Sequence, residues 1–264
     1  MDDSRAAEVY GHFAISSEIT AVVRREPLAP PPHASGVSTI IYDIPSANDP
    51  VVVRIAAADK VAPACLAEDG ISRVILIVAQ ETVRRVFGKG LPKPGDFYMP
   101  AELRCIAVAL HEPAVTGEAR PIYRTAKALE LFCETTRLIM NAALVPMTAS
   151  SGISVMDSRR IGAARRLIED RWNEKLTLEQ IARACGLNRA KLTLGFREMF
   201  NCSIAEALAE QRMRVASKLL VTTDMSVSSV GYESGYLNNA SFTRAFGRRF
   251  GMAPSDYRAG RMAA

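Results

Sequence analysis

The spacing of apolar residues changes character along this chain. Short runs rich in β-branched residues, FAISSEITAVVRRE, VSTIIYDI, VVVRIAA and ISRVILIVA, occupy the first 79 residues and are bounded by Pro, Gly, Asn and Asp, which predicts strands joined by turns. The proline-rich EPLAPPPHASG among them predicts an extended loop. From Pro100 the period lengthens, and AELRCIAVALHE and IYRTAKALELFCETTRLIMNAAL predict helices. In the second of these, Ile122, Ala126, Leu129, Cys133, Thr136, Met140 and Ala143 keep a 4-3 rhythm, the seam by which two helices pair across a subunit interface. Leu131, Phe132, Leu138 and Ile139 widen the apolar stripe, so packing on the chain's own β-layer is the other reading.

After Val145 the stretch PMTASSGISVMDS has no period and is rich in Ser and Thr, which predicts a linker over residues 146–157. SRRIGAARRLIEDRW then places Ile161, Ala164, Leu167, Ile168 and Trp172 at helical spacing, and short helices follow as far as Arg258. Within them a motif occurs twice. LEQIARACGLNRAKLTLGFREMFNCSI aligns with VSSVGYESGYLNNASFTRAFGRRFGMAP when one residue is inserted. Ile181 meets Val230, Ala182 meets Gly231 and Gly186 meets Gly235; past the insertion Leu192, Phe196 and Phe200 meet Phe242, Phe246 and Phe250. Each copy is a short helix, a glycine turn and a helix with large apolar residues at i, i+4 and i+8, the helix-turn-helix plan. Thr177 and Gln180 form a capping-box pattern, and Asn188 and Asn238 stand where they cap the second helices. SIAEALAEQRMRVASKLLVTT joins the copies; some twenty helical residues span roughly 30 Å, close to the ~34 Å between successive major-groove segments on one face of B-DNA.

The expected architecture is therefore α+β. A small β-rich N-terminal domain with a helical tail (1–145) precedes an all-α double helix-turn-helix domain (158–264), with its two units at 177–200 and 226–250. Charge divides at the same place. Residues 1–156 carry 15 Lys and Arg against 17 Asp and Glu, or −2, and residues 157–264 carry 18 against 11, or +7. Helical corners also serve as plain packing devices, but two copies at this spacing on a basic background favour duplex DNA.

The remaining composition mostly excludes. The acidic start MDDSRAAEVY has no apolar core of a signal peptide, no run approaches the ~20 apolar residues of a membrane helix, and the five scattered cysteines form no C-x-x-C pair, so a reducing cytoplasm and no membrane are expected. His12, His33 and His111 are isolated, which predicts no metal site, and no nucleophile or phosphate-loop motif predicts catalysis or a cofactor. Cys65 lacks a basic neighbour and reads as a buried structural thiol.

LTLEQIARACGL, the connector residues Arg212, Ala216, Leu219 and Leu220, and the run SFTRAFGRRFGMAPSDYR resemble the DNA-binding region of the AraC/XylS transcriptional regulators. The likeness covers roughly 100 of 264 residues, from about Ser158 to Arg258. It implies a seven-helix unit that binds double-stranded DNA, with RNA polymerase, a small effector and a second copy of the chain as further partners. AELRCIAVALHEPAVTGEARPIYRTAKALELF is similar to the end of the sensor domain in siderophore- and iron-responsive members. Leu194 and Gly195, Ile204 and Gly231 depart from the family pattern, which favours a polar or basic residue, a proline and an alanine at the corresponding places.

The expected DNA contacts follow from helical geometry. With the phenylalanines inward, Asn239, Thr243 and Arg244 point outward from the second recognition helix; Arg244 suits guanine and Asn239 suits adenine. In the first unit Arg189, Lys191 and Thr193 are outward, the two cations as phosphate clamps. Arg248 joins the DNA set, Arg249 and Arg258 have either a phosphate or a structural role, and Tyr257 belongs to the core. Two other readings stand beside the regulator: an antiactivator that keeps the fold but binds protein, and a DNA-binding enzyme of alkyl transfer.

Overall fold

In the computed structural model, which describes residues 11–24, 37–44, 51–57, 71–88, 91, 93–148 and 153–262, the β-branched runs form one six-stranded antiparallel sheet. Its strands are β1 (Gly11–Ala14), β2 (Ile19–Arg24), β3 (Val37–Ile44), β4 (Val52–Ala57), β5 (Ser72–Ala79) and β6 (Gly95–Tyr98), in the order β1-β2-β5-β3-β4-β6. The expected loop at EPLAPPPHASG, Cys65 and His33 lie outside the described residues. The first run, read as one strand, is a hairpin. The Ser16 hydroxyl accepts from the backbone N–H of Glu18 and of Ile19, both at 3.1 Å, and so turns the chain between β1 and β2.

Both faces of the central strands are buried. One face takes helices: α1 (Gln80–Phe87), α2 (Ala101–His111), which packs on β2, β3 and β5, and α3 (Ala119–Met140), which packs on α2. The buried Tyr42 hydroxyl lies 2.7 Å from Thr135 Oγ1, and Thr135 donates its own proton to the Leu131 carbonyl at 2.7 Å, so the tyrosine donates and ties β3 to α3. Burial pushes the pKa of this phenol well up. The short α1 and β6 have no counterpart in the sequence reading; β6 is four residues following LPKP, too short to show alternation.

The opposite face holds an apolar group, Val22, Ile41 and Ile75, and beside it a buried charge cluster. Asp43 faces Arg73 across the β3–β5 ladder, and Arg54 is diagonal to it on β4. Its two carboxylate oxygens each lie 3.0 Å from one guanidinium, and Arg54 also approaches Asp96 at 3.5 Å.

Beyond α3 the chain runs along the edge of β6: Tyr98 N donates to Val145 O and Met147 N to Asp96 O, both at 2.8 Å. The helix α4 (Val155–Asp170) starts within the stretch expected as linker, because the Ser154 hydroxyl accepts from Asp157 N and donates to its carboxylate. Two compact units result, Met1–Ala163 and Ala164–Ala264. The second contains the end of α4 and then α5 (Leu178–Ala184), α6 (Arg189–Phe200), α7 (Ile204–Thr222), α8 (Val227–Glu233), α9 (Asn239–Phe250) and α10 (Pro254–Met262).

Replacing Asp43 with Ala removes the carboxylate shared by two buried guanidinium groups. Stability of the first unit should fall by about 3–5 kcal/mol, read as a lower urea midpoint by circular dichroism. A loss under about 1 kcal/mol would show that water already solvates the cluster.

Candidate nucleic-acid interface

The two helix-turn-helix units are built alike from the backbone upward. In the first, Thr177 and Gln180 make a full capping box that opens α5. The chain then turns at Gly186 (φ +64°), where Leu187 N reaches back to Ala182 O at 2.9 Å. In the second, Gly235 (φ +80°) occupies the same place, and Tyr236 N reaches Gly231 O at 3.0 Å. Tyr236 is thus the counterpart of Leu187, and the inserted residue is Leu237, which is 93% exposed. Both recognition helices begin after an asparagine cap: Asn188 Oδ1 accepts from Lys191 N at 2.7 Å and Asn238 Oδ1 from Ser241 N at 2.8 Å. From there α6 and α9 are each 12 residues long and match at a constant offset.

An apolar stripe sets the rotation of each helix. Phe242 and Phe246 are fully buried with Met213, Ala216, Leu220 and Val230, and Phe250 and Tyr257 close the cluster from the side. Tyr257 meets Phe246 edge-on at 5.3 Å, in the core as expected. A Cβ on Gly231 would lie 3.0 Å from the Phe242 ring, so the α8–α9 crossing is as close as a glycine permits. In the first unit Leu192 and Phe196 are buried in the same way.

With that rotation fixed, α9 turns Arg244 and Arg248 to solvent, and with Ser241 and Gly247 they line a shallow concavity of ≈ 390 Å³. Asn239 is exposed at the first turn, and Thr243 is half-buried on the flank. Ser241 was not singled out from sequence, although it stands three residues before Arg244 on the same line. On α6, Arg189, Lys191 and Thr193 are exposed. Thr193 donates its hydroxyl proton to Arg189 O at 2.8 Å, leaving only lone pairs for a ligand. Leu194, at the position equivalent to Arg244, is 72% exposed.

Three further arginines, Arg212, Arg249 and Arg258, brace the unit. Arg249 grips the Glu210 carboxylate with two bonds of 2.6 and 2.7 Å, and this guanidinium holds Glu210 below the usual carboxylate range. Arg258 donates to Leu220 O and Met225 O, satisfying carbonyls at and beyond the end of α7. Arg212 donates to Trp172 O at 2.9 Å and Glu174 O at 3.2 Å, and its guanidinium lies against Gly235.

A helix-turn-helix domain model matches residues 181–260. The regulatory protein PchR of Pseudomonas aeruginosa is 32% identical over 148 residues, 56% of this chain and 49% of its own length. The regulatory protein SoxS of Salmonella typhimurium is 28% identical over 91 residues, 34% of this chain and 85% of its own length. Residues 181–260 are a helix-turn-helix domain, and its likeness to these regulatory proteins supports the resemblance to the AraC/XylS regulators. The chain spans about half the length of PchR. Among solved structures, the C-terminal domain of AraT, a response regulator from Geobacillus stearothermophilus, is similar at 26% identity and a TM-score of 0.38, over 39% of this chain and 85% of that one.

Two departures from the AraC/XylS pattern have local physical accounts. Ile204 replaces the common proline at the start of α7, where Ser203 and Glu206 make a reciprocal capping box and start the helix without it. Gly231 fits beneath Phe242 as described. Thiol chemistry finds no support in this domain: burial pushes Cys185 up to about 11 and raises Cys202 as well, away from the reactive thiolate. No cluster of three or more metal-ligating side chains occurs among the described residues, and no described helix is long and apolar enough to cross a membrane.

Gly235→Ala should destabilise the second unit by about 1–2 kcal/mol from its left-handed backbone alone. It should lose more than that, because the new Cβ would sit 2.9 Å from Arg212 Nε and displace the guanidinium from the Trp172 carbonyl. In an Arg212→Ala background the same substitution should lose only the backbone part. Urea denaturation followed by fluorescence of Trp172, the single tryptophan, measures both. Equal losses in the two backgrounds would refute the coupling.

Proposed function

We propose that this chain is a sequence-specific DNA-binding transcription regulator whose α6 and α9 enter successive major-groove segments. The observation that carries the reading is the in-register pair of recognition helices. Each is capped by asparagine, rotated by a buried apolar stripe, and joined to the other through α7, whose 19 residues span about 28 Å at 1.5 Å per residue. Arg244 reads guanine, with Arg248, Ser241, Asn239 and Thr243 around it; Arg189 and Lys191 clamp phosphate, with Thr193 beside them. The first unit of the chain binds a small effector that biases DNA binding by about 1–3 kcal/mol, with a ferric siderophore as the first ligand to test, and RNA polymerase is the downstream partner.

Selection of bound sites from random duplexes by the full chain, with and without ferric chelates, tests this directly. Contact with about six phosphates predicts a log–log salt slope near −5. Arg244→Ala should lose roughly 1–3 kcal/mol on the preferred site and relax one base position. Arg189→Ala should weaken all sequences alike. Failure to bind any duplex would leave the antiactivator reading in its place.

A second copy of the chain is proposed to pair along α3. The 4-3 seam lies on the side of α3 away from the sheet: Ile122 is 74% exposed, Leu129 42% and Met140 66%, and Cys133 is exposed mid-seam. The buried residues of α3 include Leu131, Phe132, Thr135 and Leu138 and none of the seam, which supports pairing through it. Leu129→Lys should give a folded monomer by sedimentation. Mild oxidation should cross-link the wild-type dimer through Cys133, and Cys133→Ser should abolish that link; a Leu129→Lys chain that remains dimeric would exclude the seam.

A further inference from the structure

The two recognition helices present different chemistry along equivalent lines. On α9 the outward line is Ser241, Arg244 and Arg248; at the constant offset, α6 presents Lys191, Leu194 and Glu198. Caps, buried stripes and helix lengths agree, so the offset is structural and not merely an alignment. A leucine that is 72% exposed therefore occupies the position where the second unit carries Arg244. A basic readout is absent at this point, and four residues on, where the second unit carries Arg248, Glu198 reverses the charge.

An apolar side chain at the centre of a groove-facing helix has one way to tell bases apart. Among the base edges in the major groove, only thymine offers an apolar group, its C5-methyl; every other mark is a hydrogen-bond donor or acceptor that a leucine cannot answer. We propose that Leu194 is a specificity-determining residue that reads a thymine methyl in the half-site of the first unit, leaving guanine readout to the second. This rests on the reading of α6 as a groove-binding helix, and it divides the operator into a methyl-read half and a hydrogen-bond-read half.

The test uses the full chain and its selected duplex, with each thymine replaced in turn by deoxyuridine, a change that removes only the methyl. Wild type should lose about fourfold in affinity at one thymine, the effect of withdrawing one methyl-sized apolar contact. Leu194→Ala should bind the unmodified site about fourfold more weakly and show no further loss at that same deoxyuridine. Because Leu194 is exposed, the variant should keep the wild-type urea midpoint, which separates lost contact from lost folding. Deoxyuridine that is neutral at every position, while Arg244→Ala still weakens binding, would overturn this inference and leave DNA binding standing. Failure of all duplexes to bind would overturn the parent reading and this one together.

Discussion

Burial of one apolar stripe on each recognition helix is the constraint on which the rest of the second unit depends. Phe242 and Phe246 are fully enclosed by α7, α8 and α10, and the enclosure leaves α9 a single rotation. Every outward property follows from it: which arginines meet solvent, which threonine is half-covered, and where the concavity between Arg244 and Arg248 opens. Gly231 is part of the same constraint, since a Cβ there would lie 3.0 Å from the Phe242 ring, which would have to give way slightly.

The arginines divide between two tasks that their sequence positions do not separate. Arg212, Arg249 and Arg258 are held by carbonyls or by Glu210 and serve as braces between helices. Arg244 and Arg248 stand on the free face of α9. A guanidinium suits both tasks because its planar fork can satisfy two oxygens at once, whether they belong to helix ends, a carboxylate or a base edge. The bracing group at Gly235 also links the second turn to the loop after α4, so the turn's backbone and the distant loop are fixed by one side chain.

The first unit rests on different physics. Its sheet is covered on one face by α2 and α3 and carries on the other a carboxylate shared by two arginines. Hydrogen bonding from Tyr42 through Thr135 to the Leu131 carbonyl orients α3, which keeps Leu131, Phe132 and Leu138 inward and turns Ile122, Leu129 and Met140 outward. A helix that is apolar on two sides is thereby resolved into a buried side and an exposed side.

By itself the sequence determined the elements whose signals are local. The two glycine turns, the Thr177 capping box, the asparagine caps and the i, i+4, i+8 stripes are all short-range patterns, and they made the double helix-turn-helix legible. Tertiary structure decided what depends on neighbours distant along the chain. It split the first β-run into a hairpin, added β6 against β4, and started α4 within the expected linker. It sorted Arg249 and Arg258 from Arg248, because a brace is defined by a carbonyl or carboxylate some forty residues away. It also identified Leu237 as the inserted residue and put Leu194 at the place of Arg244, since equivalence in the fold follows backbone closure and burial. Local pattern is encoded within a few residues, whereas exposure and pairing are properties of the packed chain.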